Sequence, residues 1–122
     1  MFKLFFKETS FRVYLVITLL VIEFLATTTI HIEVMESIWD KANHFSAFFV
    51  LYILLNFAYR NFKIVTKGGL LLVFGLQIEI VQSFIDGRYF SLLDVVADSI
   101  GIAIGMTIIY LLKDTKIIRA FS

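Results

Sequence analysis

The stretch SLLDVVADSIGIAIGMTIIYLL, residues 91–112, decides the fold. Its part from residue 92 onward is apolar enough to cross a bilayer, a task that takes about 20 residues. Ser91-Leu-Leu-Asp94 at its head has the Ser-x-x-acid spacing of a helix start, in which the serine oxygen accepts from an unpaired backbone N–H. Two carboxylates, Asp94 and Asp98, stand in its first third. Charge inside a membrane is costly and is kept where it faces the interior of a bundle. The stretch therefore reads as a transmembrane helix with one polar, inward-facing patch.

Three further runs have the same character, at about residues 11–30, 38–59 and 68–85. Ser37-Ile-Trp-Asp40 repeats the capping spacing, and Asp86-Gly87 marks a turn before the last run. The first run is long for a signal peptide, contains Glu23 and lacks a small-residue cleavage site, so it reads as a retained span. The composition agrees: 60% of the 122 residues are apolar and the mean hydropathy is +0.91. Soluble domains hold about 45–50% apolar residues, and a chain this short could not hide the excess. The reading is an all-α, single-domain, four-transmembrane-helix bundle over residues 1–122.

Other function classes drop out. The absence of Cys removes disulfide scaffolds, thiolate zinc sites and cysteine nucleophiles. The absence of Pro removes the commonest helix kink. A net charge of +1 is too small for phosphate-neutralising nucleic-acid binding.

Where the charges sit sets the orientation. Lys3, Lys7 and Arg12 precede or open the first run, Arg60, Lys63 and Lys67 separate the second from the third, and Lys113, Lys116 and Arg119 follow the fourth. Lys41 and Arg88 fall on the opposite side, where Glu33, Glu36 and Asp40 also lie. The positive-inside rule places both termini in the cytoplasm. Trp39, Tyr89 and Phe90 then fall at the outer interface, as an aromatic belt does. The expected location is a bacterial cytoplasmic membrane, crossed several times.

Under that orientation the polar residues of the spans gather at one depth, toward the outer leaflet. Lys41 and His44 open the second helix, Glu79 and Gln82 close the third, and Arg88, Ser91, Asp94 and Asp98 lead into the fourth. Steps of three and four place side chains on one helix face. The second and fourth helices also begin on the outer side, aiming their N-terminal N–H groups at the same layer. The eight residues Lys41, His44, Glu79, Gln82, Arg88, Ser91, Asp94 and Asp98 are thus the expected lining of a pocket suited to an anion such as a lipid phosphate. Each has a plainer role beside this one. Glu79 could lock the bundle in an ion pair, Asp94 could act only as a cap, His44 could be structural, and Arg88 could anchor the interface. A divalent ion would find a nitrogen and carboxylates in His44, Glu79, Asp94 and Asp98. Lys41 and Arg88 already supply positive charge there, so neither metal nor cofactor is expected. Gly101-x-x-x-Gly105 allows close helix approach, within the monomer or as the seam of a homodimer.

Lys41-x-x-His44-Phe45, Glu79-x-x-Gln82, Gly87-Arg88-x-x-Ser91-x-x-Asp94-Val95 and Gly101-x-x-x-Gly105, in this order, resemble the VanZ-like family of small bacterial membrane proteins. The resemblance runs over about residues 40–105. It implies a multi-span cell-envelope protein related to one associated with resistance to the glycopeptide antibiotic teicoplanin, and it carries over no enzymatic activity. Asp98 departs from the pattern, standing where the family usually has Asn and adding a negative charge.

Three functions compete at this point. The first is a binding or accessory protein that holds an anionic lipid, or a polyprenyl-phosphate-linked envelope precursor, through Lys41, Arg88 and the helix N-termini. The second is a lipid phosphatase or transferase in which His44 acts as nucleophile or base, Glu79 or Asp94 orients it and Arg88 stabilises phosphate charge. The third is a proton-coupled transporter, which needs a dimer because four unkinked spans enclose only a thin path.

Overall fold

A computed structural model describes residues 7–27, 36–85 and 90–115, the side chains of residues 36–41 excepted. The regular structure among the described residues is four α-helices: α1 Glu8–Thr27, α2 Glu36–Ala58, α3 Ile64–Gln82 and α4 Leu92–Leu112. Helices α1, α3 and α4 are long and apolar enough to cross a membrane, while the apolar part of α2, Ala42–Ala58, is shorter. With its polar first turns α2 has 23 residues, a length of about 34 Å against a hydrocarbon core of about 30 Å.

Helices α1 and α3 are displaced from the runs read in the sequence, each for a local reason. Helix α1 starts at Glu8, whose acid favours a helix N-terminus and lies 4.0 Å from Arg12 one turn on. Helix α3 starts at Ile64, so Lys67 belongs to its first turn and not to a cytoplasmic loop. Lys67 is buried, its Nζ donating to Asn56 Oδ1 at 2.5 Å and lying 5.1 Å from the centre of the Tyr52 ring. An amide oxygen and a ring face together replace the water this ammonium loses. Helix α3 ends at Gln82, where the bonds tighten to i→i+3: Phe84 N–H donates to Val81 O and Ile85 N–H to Gln82 O. The capping spacing Ser37–Asp40 falls inside α2, on residues whose side chains lie outside the description.

Cross-contacts give the direction of each helix. Arg12, near the start of α1, donates from Nε to the carbonyl of Ala58 at the end of α2 (2.9 Å), with its guanidinium 4.5 Å from the Tyr59 ring centre. Glu23 and Ala26 of α1 meet Gln77 and Gln82 of α3, so α1 and α3 run parallel. Gly101 meets Phe45 and Phe49 while Gly105 meets Tyr52, so α2 and α4 also run parallel. Gly68 faces Met106 and Gly75 faces Asp98, which makes α3 antiparallel to α4. The chain is an up-down-up-down bundle.

The closest pair is α2 with α4, which are not neighbours in the sequence. Helix α3 packs beside both and α1 lies over α2 and α3. The core runs down this assembly through Phe48, Leu51, Tyr52, Leu55, Leu71, Ile78 and Ile102, with Phe11 and Leu15 of α1 set against it. The outer surface is also apolar. Val16, Leu20 and Phe24 on α1, Val73 and Ile80 on α3, and Leu93, Ile100 and Leu111 on α4 are exposed. A folded surface of this kind suits acyl chains.

The glycine pair of α4 is the seat of α2. A Cβ on Gly101 would collide with the Phe45 carbonyl oxygen, and one on Gly105 would stand 3.0 Å from Tyr52 Cβ. Both glycines are buried. The Gly101–Gly105 surface, expected as a homodimer seam or as packing within the monomer, is occupied by α2 of the same chain.

Candidate functional site

Helices α2, α3 and α4 meet in a polar cluster at the end of the bundle where α2 and α4 begin. Among the described residues four form it: His44 of α2, Glu79 near the end of α3, and Asp94 and Asp98 in the first two turns of α4. All four are buried, Glu79 and Asp98 with 0% exposure. Ser91 positions α4, its extended backbone leading into the helix while its hydroxyl oxygen accepts from Asp94 N–H at 3.3 Å. The cap fixes the first turn, and Asp94 and Asp98, four residues apart, then project toward the same neighbours.

The imidazole of His44 lies between the two aspartates. His44 Nδ1 is 2.8 Å from Asp98 Oδ1 and Nε2 is 3.6 Å from Asp94 Oδ2. A carboxylate can only accept, so an ionised Asp98 takes the Nδ1–H and turns Nε2 toward Asp94. One ligand-type atom from each of His44, Glu79 and Asp94 lies within 4.8 Å of the others. Glu79 is the extreme member: neither of its carboxylate oxygens finds a hydrogen-bond donor among the described residues. Oδ2 of Asp98 also finds none among them.

Two residues not singled out for chemistry shape the cluster. Gly75, one turn before Glu79, is where Asp98 approaches α3. A Cβ there would lie 2.6 Å from Asp98 Oδ2 and 3.1 Å from Phe48 Cζ. Phe48, one turn below His44 and fully buried, separates the polar layer from the apolar core. We expect Gly75→Ala to push Asp98 off His44 at a cost of about 1–3 kcal/mol. A fall in thermal stability with a changed His44 side-chain NMR signal checks this; an unchanged signal would detach Gly75 from the site.

The other expected lining residues divide. Gln82 is buried, but its Nε2 donates to Ala26 O of α1 at 2.8 Å, toward the helix that does not contribute to the cluster. Lys41 belongs to α2, one turn ahead of His44, with its side chain outside the description; Arg88 and the Asp86-Gly87 turn lie outside the described residues. The sequence alone leaves open whether Glu23 joins the polar network or pairs with a neighbour, and it does not single out Gln77. Gln77 Nε2 donates to Glu23 Oε1 at 2.8 Å, joining α1 to α3 within the membrane-spanning region. The signal was present, since Gln77 interrupts an apolar run and Glu23 interrupts another.

The chain matches the family model described as VanZ/LLP1 over residues 2–113. No curated protein and no solved structure matches it.

Proposed function

The chain belongs to the VanZ/LLP1 family, and from that premise we propose that it holds an anionic lipid or a lipid-linked envelope precursor at the outer leaflet of a bacterial cytoplasmic membrane. It is a multi-pass membrane protein, and its family is consistent with a place in the cell envelope. The observation that carries the lipid reading is the parallel course of α2 and α4, which brings two helix N-termini to one layer beside the polar cluster. Helix N-termini present unpaired N–H groups and a positive dipole end to an anion. Arg88 stands three residues before the Ser91 cap and Lys41 one turn before His44. Both carry the positive charge a phosphate needs, and Arg can bind it bidentately. Glu79, Asp94 and Asp98 would orient those cations.

Native mass spectrometry of the purified protein, challenged with phospholipids and polyprenyl phosphates, tests the reading. Wild type should retain one phosphate-bearing lipid selectively, and Arg88→Ala should retain it about tenfold or more less, the weight of a lost charge-assisted hydrogen bond. Equal, weak retention of every lipid by both proteins would remove the reading.

One observation favours a second reading. Asp98 ties His44 Nδ1 and leaves Nε2 facing the cluster, an arrangement that suits acid–base work. A lipid phosphatase would hydrolyse a polyprenyl phosphate and release inorganic phosphate, a transferase would pass the phosphoryl group to an acceptor alcohol, and His44→Ala would abolish either. Wild type that neither releases nor transfers phosphate across the lipid panel sinks this second reading and leaves the first. The transporter reading needs a second copy, and the glycine seam that would have joined it is taken by α2.

A further inference from the structure

Among the described residues the cluster holds three carboxyl groups and one imidazole, all buried. Two features point to a cation or a proton held inside it. With Nδ1–H given to Asp98, a neutral His44 directs the Nε2 lone pair at Asp94 Oδ2, 3.6 Å away. Two acceptors facing each other repel unless a cation or a proton lies between them. Glu79 is fully buried beside them, and both its oxygens lack a donor among the described residues. Kept ionised, such a group is costly unless it is paired or coordinates a metal. The described lysine of α3, Lys67, does not serve here, because Asn56 holds it at the opposite end of the helix.

We propose that His44, Glu79 and Asp94 bind a divalent transition-metal ion, zinc or manganese, and that Asp98 holds His44 in the ligating tautomer. The three residues lie on three different helices, so their donor atoms converge from different directions. Two ligands bound at about 2.0–2.1 Å and the tetrahedral angle stand about 3.4 Å apart. The 3.6 Å between His44 Nε2 and Asp94 Oδ2 is already near that edge. One imidazole with two carboxylates suits zinc, manganese or iron better than magnesium or calcium, which prefer all-oxygen sites. Asp98 fills the role of the carboxylate that receives the other ring N–H of a metal-bound histidine. The expectation of no metal rested on Lys41 and Arg88 neutralising the acids, and a divalent ion does so from within the cluster.

Three protein ligands leave a fourth position open on a tetrahedral ion. A phosphate oxygen in that position would explain how a pocket lined with acids accepts an anion. This link rests on the lipid reading, whereas the metal site stands apart from it.

The test uses the purified full chain in detergent without added lipid. The protein is stripped with a chelator, re-equilibrated with zinc, manganese or magnesium, and analysed for metal per chain by mass spectrometry. Wild type should retain one zinc or manganese ion and no magnesium. Glu79→Gln and Asp94→Asn, which keep the side-chain shape, should each weaken retention at least about 100-fold, and Asp98→Asn about 10–100-fold. Folded wild type that holds no transition metal overturns the site in favour of neutralisation by protons or by Lys41 and Arg88. Undiminished binding in folded Glu79→Gln also overturns it. Should that variant fail to fold, cobalt-loaded wild type decides: visible bands of a low-symmetry nitrogen–oxygen site support the proposal, and an aqueous cobalt spectrum overturns it. Metal retained while no lipid is selected would keep the metal site and end its link to phosphate.

Discussion

Gly101→Ala should destabilise the protein by about 3 kcal/mol, the upper part of the range for overpacking a tight contact. The added methyl would meet the carbonyl oxygen of Phe45 and lie 3.1 Å from the Phe49 nitrogen. Both are backbone atoms of α2, so no rotamer change relieves the clash and a whole helix must move. Gly105→Ala should cost less, about 1–2 kcal/mol, because its nearest neighbours are Tyr52 side-chain atoms at 2.9 and 3.0 Å. Gly69→Ala should change stability by no more than about 0.5 kcal/mol, since nothing lies within 4 Å of a Cβ there. Unfolding of the three purified variants by heat or by a denaturing detergent, against wild type, measures the order. A Gly101→Ala protein as stable as Gly69→Ala would mean that α2 does not rest on α4.

The effect is large because the α2–α4 contact also builds the site. Helices in lipid gain little from hiding apolar surface and associate by close packing and polar contacts. Gly101 and Gly105 bring α4 against α2, and the same approach sets Asp98 2.8 Å from His44 one turn above. Any shift of α2 large enough to admit a methyl at Gly101 therefore also strains the His44–Asp98 bond.

The sequence is most legible where energy penalties are steep. Four apolar helices follow from length and hydropathy, three of them long and apolar enough to cross a bilayer, because a bilayer imposes both. Residues 92–112 match α4 at both ends, since the Ser91 cap and Lys113 mark its limits. The start of α3 is displaced by four residues because Lys67 reads as solvated loop until Asn56 and Tyr52 are seen to receive it. His44, Glu79, Asp94 and Asp98 stand out because ionisable groups within apolar runs need a reason. Gln82 shows where pattern runs out. Three residues after Glu79 it shares a helical face, but that face is divided between two neighbours, and Gln82 turns to α1 while Glu79 turns to α2 and α4. Spacing defines a face and does not say which helix covers it. The glycine pair carries the same ambiguity: it announces a close approach, and the partner helix lies two elements earlier in the chain, beyond any local signal.

Asp98→Ala should cost about 3 kcal/mol, while Asp98→Asn should stay within about 1 kcal/mol of wild type. The alanine variant leaves His44 Nδ1–H buried without its acceptor, a loss of about 1–3 kcal/mol, and adds a small cavity beside Gly75. The asparagine variant keeps an oxygen for that N–H and removes one buried negative charge, so the hydrogen bond survives and the electrostatic strain falls. Thermal unfolding of both variants, with nitrogen NMR of His44 to read its tautomer, separates the cases. Equal losses from the two substitutions, or an unaltered tautomer in Asp98→Ala, would show that Asp98 does not hold the ring. Asparagine at this position is also the residue the family pattern leads one to expect, which makes the variant informative in a second way. If Asp98 serves only the fold, Asp98→Asn should behave as wild type in every assay. If it strengthens His44 as a metal ligand, the same variant should fold as well as wild type and still bind metal about 10–100-fold more weakly. A stable protein with a weakened ion site is an outcome that a purely structural charge network does not produce.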